Sequence, residues 1–105
     1  MRTIPKALRD KLAHDPFMRT CIREREGTCQ GRITFEHAML HAGRQVNEQW
    51  AIVPLCASHH LTDAYERPYG QWVALNRATD ADLAKYPRND WQQLKKHLNK
   101  IYDNL

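Results

Sequence analysis

The stretch Trp50-Ala-Ile-Val-Pro-Leu-Cys56-Ala-Ser-His59-His60 decides the fold that the sequence predicts. Its first seven residues are apolar and predict a buried strand, which Pro54 restricts to a sheet edge or to an early end. Ala57 to Glu66 contains neither proline nor glycine, so we expect a helix directly after the strand, stopped by Arg67-Pro68 and Gly70. A strand therefore runs into a helix, with cysteine and histidine at the junction.

The segments before this unit contain one more strand. Arg32-Ile-Thr-Phe-Glu-His37 is β-branched and aromatic, which predicts a short strand. Residues 38–49 are polar around Gly43 and predict a loop, with a helical turn at its start as the alternative. Pro5 to Ala13 predicts a helix that ends at Asp15-Pro16. Apolar residues recur at no regular spacing in residues 17–31, which predicts a looped segment that we call the knuckle.

The C-terminal part predicts helices. Thr79-Asp-Ala-Asp82 is typical of a capping box at the start of a short helix before Pro87. Asn89 or Asp90 is the expected cap of a last helix. The apolar residues of that helix recur at a spacing of three and four and predict a face packed on the core: Trp91, Leu94, Leu98, Ile101, Tyr102 and Leu105.

Length and composition limit the class of protein. The chain has 105 residues, 42% hydrophobic and 27% charged, which predicts a single domain. No stretch approaches the roughly 18 to 20 apolar residues of a membrane span. The first residues lead into a charged segment and lack the apolar region of a secretory signal, so we expect a cytoplasmic protein without a membrane partner.

The net charge of +4 is concentrated in one segment. Residues 1–35 hold eight basic and four acidic side chains, whereas the eight basic and eight acidic side chains after them balance. This distribution is expected if one face meets a polyanion, and a solvated helix of mixed charge is the alternative. The basic residues of the segment are Arg2, Lys6, Arg9, Lys11, Arg19, Arg23, Arg25 and Arg32.

Three cysteines and six histidines favour a metal site. An odd number of cysteines in a reducing compartment argues against a disulfide framework. Cys21, Cys29, Cys56 and His59 would form a closed Cys3His zinc site, whose role is structural because no coordination position stays open. Two alternatives remain: the thiols are buried and free, or His60 takes the place of His59 as the fourth ligand.

The order of the remaining polar residues resembles the HNH nuclease family. Glu36-His37 ends the first strand, a loop with Gly43 follows, and an apolar strand leads into Cys56 and His59-His60. The resemblance covers residues 21 to about 66. It implies an α+β fold with a small, zinc-stabilised ββα-metal core, treble-clef-like, with flanking N- and C-terminal helices. Residues 1–105 would form a single HNH-type domain, with residues 68–105 as its C-terminal helical extension.

The resemblance also implies an activity. Glu36 and His60 would hold one catalytic divalent cation, Mg²⁺, Mn²⁺, Ni²⁺ or Zn²⁺, and His37 would be the general base in the hydrolysis of DNA phosphodiester bonds. The sequence departs from the family at two positions. Ala51 occupies the place of the Asn that orients the base, with Asn47 four residues earlier, and Ala64 occupies that of a third metal ligand.

Arginines near the motif are the candidates for contact with the DNA backbone, with solvated charge as the alternative: Arg32, Arg44 and Arg67. The small size resembles compact phage and prophage members of the family, which predicts weak sequence preference or a protein partner that supplies targeting.

Other classes of function fit less well. A zincin needs Glu after His37, where the sequence has Ala38. A zinc deaminase needs Glu after the histidine ligand and Pro directly before the cysteine, whereas Glu36 precedes His37 and Leu55 follows Pro54. Two hypotheses stay open: a DNA endonuclease, and a catalytically inactive, zinc-stabilised nucleic-acid-binding or interaction module. His14, His41 and His97 are taken as surface or packing residues.

Overall fold

A computed structural model gives the structure of the chain and describes residues 4–24, 27, 29–58 and 67–102. Its fold is α+β, as expected, with helices and two small antiparallel sheets. The elements are α1 Lys6–Ala13, a 3-10 turn Pro16–Arg19, β1 Ile33–His37, β2 Leu40–His41, β3 Arg44–Gln45, a 3-10 turn Gln49–Ala51, β4 Ile52–Cys56, α2 Arg67–Arg77, α3 Asp80–Ala84 and α4 Trp91–Tyr102.

The main sheet joins the two strands that the sequence predicts. β1 pairs with β4 in antiparallel fashion, from Ile33 opposite Cys56 to His37 opposite Ile52. All five residues of β4 are buried, because the turn Pro16–Arg19 and helix α2 both contact the strand. The strand begins at Ile52, two residues later than its apolar stretch, since the two preceding residues form a 3-10 turn.

Pro54 lies inside β4 and does not end it. The expected early end is therefore wrong, while the expected edge position is confirmed because, among the described residues, the sheet has two strands. The missing N–H of the proline removes no bond that β4 needs. Its carbonyl accepts a hydrogen bond from the amide of Ile22 at 3.0 Å, which docks the knuckle on the strand.

Residues 38–49 contain a hairpin and no helical turn, so that alternative is wrong. Leu40 pairs with Gln45 and His41 with Arg44. The two residues between them, Ala42 and Gly43, have φ of 52° and 77°. Positive φ at both central positions is the geometry of a tight type I′ turn, whose twist matches that of the strands.

Helix α2 contains Pro68 and Gly70, which were expected to stop a helix. Arg67, Pro68 and Gly70 are thus themselves helical, whereas the end of the helix expected before them falls outside the described residues. Gly70 is buried in the helix. Of the helix expected over 57–66, the structure describes Ala57 and Ser58, both helical, and the rest lies outside the described residues.

The caps of the last two helices agree with the sequence. Thr79 Oγ1 accepts a bond from the Asp82 amide at 3.1 Å, and Asp82 Oδ2 accepts one from the Thr79 amide at 2.9 Å, which completes the capping box. Asp90 Oδ1 accepts the Gln93 amide at 3.2 Å, so Asp90 and not Asn89 caps α4.

The core lies between the main sheet and the C-terminal helices. Buried residues of β4, α2 and α4 form its largest cluster, to which Trp50, Leu75, Trp91 and Leu98 belong. Of the predicted face of α4, Ile101 is exposed and Leu105 lies outside the described residues. No helix in the described ranges is both long and apolar enough to cross a membrane.

Asp15 ties the N-terminal part to the C-terminal helices. Its Oδ2 accepts bonds from Arg77 Nη2 at 2.8 Å and from Gln49 Nε2 at 3.0 Å, and its Oδ1 accepts the Phe17 amide at 3.0 Å. Burial opposes ionisation of the carboxyl, but the bonds from Gln49, Arg77 and Phe17 outweigh it and lower the pKa of Asp15.

Candidate functional site

The structure brings the three cysteines together. The sulfur atoms of Cys21, Cys29 and Cys56 all lie within 4.8 Å of one another. Four ligands at the usual Zn–S distance of 2.3 Å place neighbouring sulfurs about 3.8 Å apart, so a small adjustment encloses an ion. Cys21 and Cys56 are buried and Cys29 is exposed. The cluster can therefore hold a metal ion, as the spacing of the cysteines predicts.

Backbone pairing beyond the main sheet places Cys29 beside Cys56. The amides of Ala57 and Ser58 donate to the carbonyls of Arg32 and Gln30, at 3.0 and 3.1 Å. Between these contacts lies Gly31, with φ of +83°. A Cβ on Gly31 would lie 2.7 Å from the Cβ of Ala57, closer than two carbon atoms approach. Glycine at this position therefore allows the cysteine-bearing segment to reach the end of β4.

Cys21 is held from the other side of β4. Its neighbour Ile22 bonds to Pro54, as described above, and the amide of Arg23 donates to the sulfur of Cys21 at 3.4 Å. Both contacts hold the segment around Cys21 against β4, so that its sulfur lies beside those of Cys29 and Cys56.

The thiols affect one another electrostatically. Desolvation, together with hydrogen bonds to Cys56 and Cys21, raises the pKa of Cys29 to about 12, although its residue is exposed. A second negative charge among three adjacent sulfurs is costly without a counter-charge. A bound divalent cation supplies that charge and turns the coordinating thiols into thiolates. The donor set therefore fits zinc.

His59 and His60, the two candidates that the sequence offers for a fourth ligand, lie outside the described residues, as does Ala64. The choice between His59 and His60 stays a prediction. The described helical residues Ala57 and Ser58 lead directly from Cys56 into that segment.

Glu36 and His37 lie at the other end of the main sheet from the cysteines. Cys56 is opposite Ile33, whereas His37 is opposite Ile52, which separates the two ends by four residues, or about 14 Å of strand. Glu36 and His37 are both half-buried, and consecutive strand residues face opposite sides of a sheet. In the described part of the chain, the only group of three or more ligands close enough for one ion is the cysteine cluster.

His37 has a polar partner that selects the tautomer of its neutral ring. Its Nε2 lies 2.7 Å from Oδ1 of Asn47. An amide oxygen only accepts, so Nε2 carries the proton and donates it, and Nδ1 keeps a lone pair. The hairpin β2–β3 positions Asn47 by folding the chain back towards β1.

Sequence reasoning missed Asn47 because it counted positions along the family motif. At the motif position, Ala51 is fully buried and accepts the Ala38 amide through its own carbonyl at 2.9 Å. The available signal was the turn at Ala42-Gly43. A hairpin there shortens the path through space from His37 to residue 47.

A groove with a volume of about 630 Å³ adjoins this pair. Arg44, Asn47 and Tyr86 line it, together with other residues of the hairpin. Of the arginines expected at DNA, Arg44 is thus placed beside the partner of His37. Arg32 is exposed at the cysteine end of the sheet, and Arg67 is exposed at the described start of α2.

Comparison of the chain with family models, with curated proteins and with solved structures finds no match.

Proposed function

We propose that the chain is a metal-dependent endonuclease of the HNH type that hydrolyses DNA phosphodiester bonds. The observation that carries the proposal is the hydrogen bond from His37 to Asn47, because it leaves Nδ1 of the neutral imidazole as a proton acceptor, and Asn47 itself lines a groove. The finer fold that goes with it is the zinc-stabilised ββα-metal core, in which β1, β4 and the segment after Cys56 are the three elements.

His37 acts as the general base in this proposal. A neutral imidazole takes a proton from the attacking water at neutral pH. The bond to Asn47 holds the ring in one orientation, and the amide oxygen stays bonded to Nε2–H when the ring becomes positive. Asn47 thereby performs the role that the motif position of Ala51 cannot perform.

The two metal sites have different roles. A catalytic divalent cation, Mg²⁺, Mn²⁺, Ni²⁺ or Zn²⁺, held by Glu36 and His60, would supply positive charge next to the scissile phosphate and the leaving oxygen. Glu36 offers the carboxylate oxygen that such cations prefer. The structural zinc belongs to Cys21, Cys29 and Cys56, with His59 as the fourth ligand.

The rest of the proposal follows from charge and size. Arg44 lies where it can contact the backbone of the substrate, and Arg32 and Arg67 extend the basic surface. A domain this small needs a protein partner for targeting or cleaves with little sequence preference. We place the activity in the cytoplasm, in a phage or prophage context, by analogy with the family.

The competing function is a nucleic-acid-binding or interaction module that keeps the zinc and lacks catalysis. The observation that favours it is the buried Ala51 in place of the family's Asn. The bond from His37 to Asn47 weighs against it, because a merely structural module has no need of an oriented base.

The experiment is nicking of supercoiled plasmid with added Mg²⁺, Mn²⁺, Ni²⁺ or Zn²⁺, together with a zinc count. His37→Ala should lower the rate by a factor on the order of 100 to 10,000, the usual contribution of a general base. His97→Ala is the matched control, since His97 is exposed on α4 and should nick like wild type. Wild type that binds one zinc and nicks with none of the metals would favour the binding module.

Asn47 gives a second test of the same site. Asn47→Leu should lower the nicking rate, whereas Asn47→Asp should keep activity with a rate profile shifted to higher pH, because a carboxylate raises the pKa of the imidazole that it contacts. Identical pH profiles for wild type and Asn47→Asp would contradict the positioning role.

A further inference from the structure

We infer that the groove beside Asn47 binds an unpaired nucleotide of the substrate strand, with His41 and Arg44 as its phosphate ligands. The inference rests on the proposed function and names the form of DNA that the site accepts. The charge of the groove, its hydrogen-bond donors and its shape support the inference.

Charge distinguishes this groove from two others in the described part of the chain. Its lining includes the Arg44 guanidinium and no carboxylate. The second groove is lined by Asp80 and Asp90, and the third by Glu48 and Asp82, each along with basic residues. A polyanion is repelled least where a cation stands without acidic neighbours. The groove beside Asn47 is therefore the one suited to phosphate.

His41 supplies a donor of fixed direction. Asn89 Nδ2 donates to His41 Nδ1 at 2.6 Å, so the proton of the neutral ring is on Nε2. The ring packs edge-on against Tyr86, with centroids 5.0 Å apart, and against Trp91 at 6.5 Å. A ring held in this way donates to an anion without losing further freedom. Its role thus exceeds the packing that the sequence suggested.

Glu48, which does not line the groove, binds the hydroxyl of Tyr86, which does. The Tyr86 hydroxyl donates to Glu48 Oε2 at 2.8 Å, and Lys85 Nζ lies 3.4 Å from Glu48 Oε1. The Tyr86 side chain therefore presents its ring to the groove and its hydroxyl to the carboxylate. An aromatic wall next to cationic and amide donors is the usual composition of sites for unpaired bases.

The size of the groove favours an unpaired nucleotide. A volume of about 630 Å³ lies in the range of small-molecule sites. A base that is paired and stacked in a duplex cannot enter such a concave site unless it leaves the stack. Since Asn47 belongs both to the groove and to the His37 contact, the nucleotide held there would lie next to the bond that is cut.

The type I′ turn forms the rim of the groove. Ala42 has φ of +52°, a region that L-residues other than glycine, asparagine and aspartate seldom adopt, because the first central position of this turn requires it. The turn at Ala42-Gly43 sets the position of His41 and Arg44, which pair directly across it.

The test is fluorescence anisotropy with a short labelled single-stranded DNA and with the same sequence as a blunt duplex. The purified protein is used as isolated, without added divalent cation, so that binding is measured apart from cleavage. We expect the single strand to bind about 10-fold more tightly than the duplex, because the duplex must first unstack a nucleotide.

Three variants test which side chains contact the DNA. Arg44→Gln should weaken single-strand binding about 10-fold and lower the slope of log K against log salt by about 0.7, the value of one phosphate contact. His41→Phe keeps the ring packing, loses the donor and should weaken binding by a similar factor. Lys96→Gln, an equal change of charge on the exposed face of α4, should bind like wild type. Thermal unfolding of each variant separates loss of contact from loss of fold.

The outcomes separate this inference from the proposed function. Any of three results would contradict nucleotide binding in the groove. These are equal affinity for duplex and single strand, no binding of the single strand, and equal weakening by Lys96→Gln and Arg44→Gln. If plasmid is not nicked with any of the metals but DNA binding is as expected, nucleotide binding in the groove is supported and the nuclease assignment is wrong. If His37 is required for nicking while Arg44→Gln and His41→Phe bind like wild type, the nuclease assignment is supported and nucleotide binding in the groove is wrong.

Discussion

Replacing Gly31 with alanine tests how the cysteine cluster is built. Two costs arise. An L-residue at φ of +83° costs about 1 to 2 kcal/mol, and the added Cβ, 2.7 Å from the Cβ of Ala57, must push one backbone segment away for about 1 to 3 kcal/mol more. The free energy of unfolding of zinc-loaded protein should therefore fall by about 2 to 5 kcal/mol.

The steric share of that cost should also appear in zinc affinity. Without metal, the segment of Cys29 can move away from Cys56 and relieve the contact, whereas with metal the sulfurs must stay together. A steric cost of about 1 to 3 kcal/mol in the bound state lowers zinc affinity by about 5- to 150-fold. Competition with a chelating dye measures this change, and denaturant unfolding measures the change in stability.

Two companion variants separate strain from contact. Gly43 has φ of +77° and nothing within 4 Å of an added Cβ, so Gly43→Ala should cost the strain alone and leave zinc affinity unchanged. Adding Ala57→Gly to Gly31→Ala removes the clashing atom and should restore zinc affinity. Equal effects of Gly31→Ala and Gly43→Ala, or no recovery in the double variant, would refute the account of the close approach.

Two further substitutions test the scaffold. Asp15→Asn should destabilise the protein by about 1 to 3 kcal/mol at neutral pH. Because the pKa of Asp15 is lowered in the folded protein, its contribution to stability is fully present above the ordinary aspartate pKa of about 3.9 and is lost as the pH falls through the folded value. The free energies of unfolding of wild type and variant, measured in urea, should therefore converge in acid. A difference in stability that stays constant with pH would exclude the ionised contact with Arg77 as its source. Thr79→Ala should cost about 1 kcal/mol through loss of the capping box, while Thr79→Ser retains it; equal thermal midpoints for the three proteins would contradict this role.

Local rules predicted the elements whose causes lie within a few residues. The capping box of Thr79 and Asp82 satisfies backbone groups three residues apart, and β1 follows from a run of β-branched and aromatic side chains. The cysteine cluster could also be predicted, because an odd number of cysteines argues against a disulfide framework and metal ligation accounts for all three. These inferences need no knowledge of how distant segments meet.

The missed features depend on how segments fold back. Asn47 was set apart from the motif because it lies four residues before the position at which the family has its Asn. The turn at Ala42-Gly43 lacks the Asn-Gly or Asp-Gly pair that marks most type I′ turns, so its signal was weak. Pro68 was read as a stop signal because the sequence does not say whether proline ends one helix or stands in the first turn of another.

The cysteine cluster and His37 lie too far apart to touch, yet the sheet between them connects their geometry. Pairing runs in one register from Ile33 opposite Cys56 to His37 opposite Ile52. A slip of one residue would turn every β1 side chain to the other face and carry His37 away from Asn47. A metal ion held between Cys29 and Cys56 would fix this register at one end, where the ladder continues through Arg32 and Ala57. The cysteine cluster would therefore help to position the imidazole at the other end of the sheet.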